Sequence, residues 1–242
     1  MWQIIHKLGS PRWFYRISEA LLPWLAIISL VLIMIGVVWG LAFAPPDFKQ
    51  GNSFRIIYIH VPAAFVAMAG YYLMAGAGAV FLIWRIKMAE IVMRAAAPIG
   101  AVMVFITLVT GSIWGKPTWG TWWVWDARIT SMLILLFLYI GVLALANAYQ
   151  RDVLGSKAAA ILALVGMVNI PIIYKSVDWW HTLHQPATIK LTSAPSIHPD
   201  MAWPLLFTVI GFYVLYAVLL ILYARVELID REQRTQWVQE LN

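Results

Sequence analysis

Residues 21–43 read LLPWLAIISLVLIMIGVVWGLAF, and this stretch decides the fold. It contains no charged side chain, and it exceeds the ~20 apolar residues that a helix needs to cross the hydrocarbon core of a bilayer. It is also longer than the ~7–15-residue apolar core of a signal peptide, although Ala42-Phe43-Ala44 imitates a cleavage site. The stretch therefore predicts a retained membrane-spanning helix.

Five further apolar stretches reach or nearly reach the same length, at residues 57–84, 95–114, 129–149, 158–177 and 203–224. The fifth of the six stretches is the weakest because it contains Asn169 and Pro171. The chain of 242 residues is 62% hydrophobic and 12% charged, with a mean hydropathy of +0.80, whereas soluble domains are about 25% charged. We predict an all-α integral membrane protein, a single domain over 1–242 whose six transmembrane helices lie in the lipid bilayer.

The positive charges predict the orientation of these six helices. If the N-terminus lies in the cytoplasm, eleven of the 17 Lys and Arg residues fall in cytoplasmic segments and six in outer segments. Cytoplasmic loops of membrane proteins carry the excess of Lys and Arg. We therefore expect both termini in the cytoplasm and three outward-facing loops, at 44–56, 112–128 and 177–202. Residues 1–20 are expected to form an interfacial segment.

The composition excludes several kinds of site. The chain has no cysteine, which rules out disulfides, iron–sulfur clusters and the covalent c-type haem attachment motif. The net charge of +6 is explained by loop charges that set orientation, so no nucleic-acid binding is expected. The sequence contains no catalytic triad, paired carboxylates or phosphate-binding loop. We expect no ATP hydrolysis by this chain and no enzyme activity beyond the positioning of a bound ligand.

The second outer loop is unusually rich in tryptophan. Residues 114–126 read WGKPTWGTWWVWD. Five of the 14 tryptophans of the chain lie there: Trp114, Trp119, Trp122, Trp123 and Trp125. Gly115, Pro117 and Gly120 interrupt helix formation, so we expect a shaped loop on the membrane surface. Single tryptophans at such a surface are usually interfacial anchors, but this density predicts a platform for a flat apolar ligand.

Four of the five histidines fall on the same outer face, and only His6 lies on the other side. They are His60 near the start of the second helix, and His181, His184 and His198 in the third outer loop. Two histidines from different segments can hold a haem iron from opposite faces, while indoles stack on the porphyrin. Each histidine alone could instead be structural. A zinc pair at His181 and His184 has no third ligand at a recognisable spacing.

Two arginines of the outer loops are suited to the propionates of a haem. Arg55 and Arg128 lie on different loops, and a guanidinium group can bind a carboxylate through two N–H groups. Either arginine could instead be an interfacial residue whose aliphatic stem lies along the membrane and whose charged end lies among the lipid headgroups. Asp126, which ends the tryptophan-rich run, could hold a neighbouring arginine or accept a hydrogen bond from an indole N–H.

These motifs resemble those of a known superfamily, the haem-handling membrane proteins of cytochrome c biogenesis that carry a tryptophan-rich WWD signature. The resemblance rests on the run at 114–126, on HVP at 60–62 and on DWWHTLHQ at 178–185. It covers almost the whole chain and is strongest with the six-span CcmC family, because the larger members of the superfamily have more spans.

The resemblance implies a function. CcmC-like proteins bind haem b transiently at the periplasmic face of the bacterial inner membrane and deliver it to the haem chaperone CcmE, with CcmA, CcmB and CcmD in an ABC-type haem export and release complex. It implies that His60 and His184 are the axial ligands of the haem iron. The signature residues that it assigns to haem binding are Trp114, Trp119, Trp122, Trp125 and Asp126. Whether His181 or His198 can replace His184 stays open, as does the choice of tryptophans that stack on the ring.

Two other classes of protein compete with this interpretation. A redox membrane cytochrome subunit would carry histidine pairs on facing helices within the bilayer, and no span interior contains a histidine. A transporter that moves haem or a small molecule through its own helices would usually carry ionisable groups or broken helices at mid-membrane. Only Asn169 and Pro171 hint at such a feature.

Overall fold

The computed structural model describes residues 10–148, 153–180, 182–184 and 197–241. Within these ranges the chain forms the helices α1 (Pro11–Val38), α2 (Ile57–Trp84), α3 (Lys87–Trp119), α4 (Ala127–Ala148), α5 (Val153–Gly166), α6 (Asn169–Trp179), α7 (Pro199–Glu232) and α8 (Gln236–Gln239). A π-helical turn, Trp39–Phe43, prolongs α1, and a 3-10 turn, Asn52–Ile56, precedes α2. His6 and His181 lie outside the described residues.

Six helical segments of the described chain are long and apolar enough to cross a membrane. They are Pro11–Phe43, Asn52–Trp84, Lys87–Trp119, Ala127–Ala148, Val153–Trp179 and Pro199–Glu232. The predicted fold class, an all-α integral membrane protein with six transmembrane helices, is thereby confirmed.

Two helices extend further than the sequence patterns predict. The part of the expected interfacial segment that is described belongs to α1, which begins at Pro11, where the fixed φ of proline suits a first helical position. Helix α3 continues through Gly115 and Pro117 and ends at Trp119. The next residue, Gly120, has a φ of 79° and donates its N–H to Lys116 O at 3.1 Å, which caps the helix. The expectation that Gly115 and Pro117 break the helix is wrong, since neighbouring groups in a membrane bundle compensate for one lost backbone hydrogen bond.

The fifth span is broken into two helices. Helix α5 ends at Gly166 and α6 begins at Asn169, so the weakness expected from the sequence coincides with a break. Pro171 lies in the first turn of α6, where the missing N–H would have no helical partner anyway. The buried Asn169 side chain donates from Nδ2 to Ser131 O at 2.9 Å, which ties α6 to α4.

Helix α1 lies at the edge of the bundle and packs mainly against α7. A Cβ atom added to Gly36 would lie 2.7 Å from Pro204 O, and one added to Gly211 would lie 3.0 Å from Ile33 N. Small residues allow such close backbone approach between membrane helices. The remaining spans enclose a core that includes Tyr71 and Tyr139, whose rings meet edge to face at 5.0 Å.

Charged side chains join α3 to α7 at the end of the bundle away from the tryptophan-rich loop, and a serine of α5 bonds to one of them. Arg231 Nη2 lies 2.9 Å from Glu90 Oε1, and Arg231 Nε lies 2.8 Å from Glu227 Oε1. Arg94 Nε lies 3.2 Å from the same Glu227 oxygen. Ser156 of α5 donates to Glu90 at 2.5 Å. This end is the one that the positive charges predict to be cytoplasmic.

Candidate functional site

A cavity of about 210 Å³ lies at the other end of the bundle, between α2, α3, α4 and α6. We call this end the signature end, since it carries the loop at 120–126. The wall of the cavity is mostly apolar, with side chains such as Val61, Phe65, Met68, Leu108, Met132 and Ile173. His60, Arg128 and His184 are among its polar groups. An apolar wall with a few polar groups is typical of a small-molecule site.

His60 is held by the neighbouring helix α3. Its Nδ1 lies 3.0 Å from Thr110 Oγ1. The single hydroxyl hydrogen of Thr110 is donated to a carbonyl of its own helix, since Oγ1 lies 2.6 Å from Ile106 O. Thr110 therefore accepts from His60, and the proton of the ring is assigned to Nδ1. His60 Nε2 is left with its lone pair, which a metal in the cavity could take up.

His184 is held by a carboxylate. Its Nδ1 lies 3.2 Å from Asp126 Oδ2, and the two side chains are 17% and 5% exposed. Thr182 Oγ1 also donates to Asp126 Oδ2 and accepts from His184 N at 3.1 Å. Asp126 Oδ1 caps α4 by accepting from Ile129 N at 2.8 Å. The arrangement assigns the His184 proton to Nδ1, because an ionised carboxylate can only accept.

Asp126 is kept ionised by its neighbours. Burial alone raises the pKa of this carboxyl group, but hydrogen bonds from His184, Ile129 N and Thr182 outweigh it and lower the pKa from 3.8 to about 2. Hydrogen bonds to the charged form of a group favour that form. A carboxylate that orients a histidine through Nδ1 while Nε2 binds a metal is a common outer shell of metal sites. The hydrogen-bond partner of Asp126 is thus a histidine rather than the indole considered from the sequence, while the neighbouring arginine, Arg128, interacts with it electrostatically.

Two signature tryptophans each pack against one of the histidines. The rings of Trp114 and His60 meet edge to face with centroids 5.6 Å apart, and the ring centroids of Trp119 and His184 are 4.8 Å apart. Trp114 is further fixed by its indole N–H, which donates to Gln50 Oε1 at 2.6 Å. Both tryptophans line the cavity. Trp119 lies on α3 because this helix extends past residue 114, the expected end of the span.

The other signature tryptophans lie differently. Trp122 and Trp125 are 57% and 73% exposed and are not among the residues that line the cavity. Lys116 Nζ lies 5.9 Å from the centroid of the Trp122 ring. Trp123, which was not selected as a site residue, does line the cavity and packs against Trp125 with centroids 5.3 Å apart. The haem-binding roles of Trp122 and Trp125 stay predictions.

The two arginines have unequal environments. Arg128 lines the cavity, and its contacts with Ser176 Oγ and Tyr174 O are long, at 3.4 Å each, so its guanidinium could turn towards a carboxylate. Arg55 donates to the carbonyl groups of Leu41 and Ala44 at the end of the first span. Its assignment to a propionate stays a prediction, and it would require Arg55 to leave those carbonyl groups.

The remaining candidate ligands contribute little to this cavity. His198 is 62% exposed, and its ring accepts from Asp200 N at 3.3 Å, which caps α7. Within the described residues no group of three or more His, Asp or Glu side chains is placed to hold a metal ion. A zinc site that includes His181 falls outside the described residues.

Four residues of the site were missed from the sequence: Gln50, Thr110, Trp123 and Thr182. Three of them had a local signal. Trp123 lies within the tryptophan-rich run at 114–126. Thr110 precedes Trp114 by one helical turn, so the two share a helix face. Thr182 lies two residues before His184 in the DWWHTLHQ segment. Gln50 contacts Trp114 across 64 residues of sequence, and no local pattern indicates such a contact.

The fold and the cavity define the class of protein: a multi-pass membrane protein with a ligand cavity lined by histidine and tryptophan. A family model described as CcmC, heme exporter protein C, matches residues 4–239. The chain belongs to this family. It is a membrane protein of haem handling and haem transport in cytochrome c biogenesis.

Individual relatives agree with the family. Heme exporter protein C of Escherichia coli strain K12 is 52% identical over 241 residues, which cover 100% of this chain and 97% of the relative. The protein of the same name from Haemophilus influenzae is 50% identical over 241 residues, covering 100% and 98%. A ccmC-like mitochondrial protein of cytochrome c biosynthesis from Marchantia polymorpha is 43% identical over 202 residues, covering 80% and 86%.

Proposed function

We propose that this chain binds haem b transiently between His60 and His184 and delivers it to the haem chaperone CcmE. The observation that carries the proposal is the placement of both histidines in the wall of one cavity, each with Nδ1 engaged by a neighbour. Each ring thus keeps the lone pair of Nε2 for an axial bond to iron.

The rest of the cavity suits the porphyrin. Trp114 and Trp119 supply apolar ring surface beside the two histidines. Arg128 supplies a cation for a propionate, which is the role that a guanidinium group fills best. The proposed site also includes three residues at its edge: Trp122, Trp125 and Arg55.

The size of the cavity favours holding haem by one side. Pockets that enclose a drug-sized ligand usually have ~300–1,000 Å³, and this cavity has about 210 Å³. A porphyrin would therefore enter in part and leave an edge outside. An exposed edge is what a chaperone needs in order to take the haem away. The contribution of this chain is positioning, and we propose no enzyme activity for it.

We further propose the setting in which this occurs. The six spans form a single domain in the bacterial inner membrane with both termini in the cytoplasm, so that the signature end faces the periplasm. The support is the excess of Lys and Arg on the opposite side of the membrane, since cytoplasmic segments carry that excess. CcmA, CcmB and CcmD are the proposed partners in an ABC-type complex, which fits the Ccm context that the family name implies.

Absorption spectra of the detergent-purified full chain would test haem binding. We expect a Soret band in the parent protein after co-expression with its partners or addition of haem, and its loss or shift in a His60→Ala/His184→Ala double variant. His198→Ala is the matched control, because His198 is exposed at the same end of the bundle and should leave the spectrum unchanged. A double variant with the parental spectrum and haem content would refute the assignment of the two ligands.

A further inference from the structure

The two histidines differ in the group that accepts their Nδ1 proton. His184 donates to the carboxylate of Asp126, whereas His60 donates to the neutral hydroxyl of Thr110. A hydrogen bond to an ionised acceptor is about twice as strong as one between neutral groups. The Thr110 hydroxyl is also committed as a donor to Ile106 O, so it cannot reverse its role.

The acceptor at Nδ1 changes the strength of the ligand at Nε2. A carboxylate that draws the Nδ1 proton towards itself makes the imidazole more basic, and a more basic Nε2 binds the metal more strongly. A neutral hydroxyl has a much smaller effect. The geometry therefore makes His184 the stronger donor of the two.

We propose that Asp126 and Thr110 are positioning residues that make the two axial ligands unequal, with His184 the retained ligand and His60 the one that leaves first. This inference rests on the proposed function. It gives the site an order of release: the bond on the His60 side opens while Trp119 and His184, which Asp126 orients, still hold the haem.

The two histidines are also supported by different contacts. Asp126 Oδ1 is bonded to Ile129 N at the start of α4, while Oδ2 accepts from both Thr182 and His184. One carboxylate thus fixes the short segment 182–184 to the bundle. His60 lies beside Gly111, where an added Cβ would come 3.1 Å from the ring carbon Cε1. The His60 ring is therefore held by close packing against α3 and by the neutral Thr110 hydroxyl, without a charged acceptor.

A double-mutant cycle on the full-length protein, titrated with haem in detergent, tests whether Asp126 acts through His184. Asp126→Asn keeps an oxygen that can cap α4 but removes the charge. We expect it to weaken haem binding about 10–100-fold in the parent and equally in a His60→Ala background. In a His184→Ala background we expect no further loss. If Asp126→Asn weakens haem binding by the same factor in all three backgrounds, the proposal is wrong and the role of Asp126 is purely structural.

The single-histidine variants test the inequality directly. His60→Ala, which retains His184 and Asp126, should bind haem more tightly than His184→Ala, which retains His60 and Thr110. Thr110→Val should weaken binding less than Asp126→Asn. The reverse order in either comparison would overturn the proposal. If haem binds the parent and all these variants alike, the proposed function itself fails.

The reduction potential gives a readout that a folding defect does not produce. The Asp126 charge stabilises ferric over ferrous haem, so Asp126→Asn should raise the midpoint potential, by about 59 mV for each tenfold change in the ratio of the two affinities. Asp200→Asn and Thr208→Val are matched controls. Asp200 is exposed at the signature end, and Thr208 is a buried helical threonine that donates to Leu205 O. Both should keep the parental potential, and an unchanged potential in Asp126→Asn would contradict the proposal.

Discussion

Replacing Asp126 by Asn should destabilise the haem-free protein by an amount that depends on pH. The carboxyl group has a pKa of about 2 in the folded protein and 3.8 when unperturbed. The difference corresponds to about 2 kcal/mol of stability at neutral pH. Because the side chain is only 5% exposed, solvent screens this contribution little. Asn preserves the cap on Ile129 N, so the loss reports mainly on the charge.

The sign of the pH dependence follows from the lowered pKa. Asp126 releases its proton at a lower pH in the folded state than in the unfolded state. Its stabilisation is therefore complete well above pH 3.8, declines as the pH falls through 3.8 towards about 2, and is absent only in stronger acid, well below the folded pKa. The difference between the parent and Asp126→Asn should be constant near neutral pH and should vanish in strong acid.

Thermal unfolding followed by circular dichroism in detergent would measure this difference. A loss of about 2 kcal/mol corresponds to a fall in Tm of about 4–8 °C for a chain of this length. Asp200→Asn, at an exposed position of the signature end, is the control and should show no pH-dependent difference. A Tm of Asp126→Asn that equals the parental Tm at pH 7, or a difference that grows in acid, would refute the reasoning.

Three further predictions concern other parts of the molecule. Trp119→Ala removes the ring 4.8 Å from His184 and should weaken haem binding about tenfold, since aromatic pairs contribute ~0.5–1.5 kcal/mol beyond their buried area. Trp122→Ala, at a 57% exposed side chain, should have little effect on haem binding. If both variants lose the same amount of haem affinity, Trp119 has no special role in the wall of the cavity. Gly36→Ala places a Cβ 2.7 Å from a backbone carbonyl oxygen of α7 and should cost about 1–3 kcal/mol in thermal unfolding. Gly76→Ala, where an added Cβ would have no atom within 4 Å, should be tolerated. Equal melting temperatures of the two glycine variants would argue against the close approach of α1 and α7. Arg128→Gln should weaken the binding of haem at least about tenfold but leave the binding of haem dimethyl ester unchanged, because the ester has no carboxylate. An equal loss for both ligands would argue against the propionate contact.

The spans of this protein are predictable from its sequence because each is a long apolar stretch. Length and hydropathy alone identify residues 21–43 as membrane-spanning, and the break beside Asn169 and Pro171 is visible as a local loss of apolar character. The same reasoning fails at Pro117, where local propensity argues for a loop. Packing inside the bundle overrides that propensity and carries α3 on to Trp119.

The residues of the candidate site are predictable from the sequence, but the contacts between them are not. His60, His184, Trp114 and Trp119 could be named from their motifs, and they meet at one cavity. The partner of His184 could not be named, because Asp126 lies 58 residues away and its contact depends on where the segment after α6 crosses the start of α4. Local periodicity carries no information about such a crossing.

Arg55 affects how the membrane hairpin of the first two spans is assembled. The carbonyl groups of Leu41 and Ala44, at the end of the first span, receive hydrogen bonds from a side chain that is synthesised 14 and 11 residues later. Carbonyl groups in the last turn of a helix have no N–H partner within that helix, so a side chain that donates to them stabilises the helix end. The end of the first span therefore gains these two hydrogen bonds only after the segment that precedes the second span has been made. Substitutions of Arg55 should lower the amount of inserted protein, so a loss of cytochrome c in such a strain would report on biosynthesis of this chain as well as on any contact with haem.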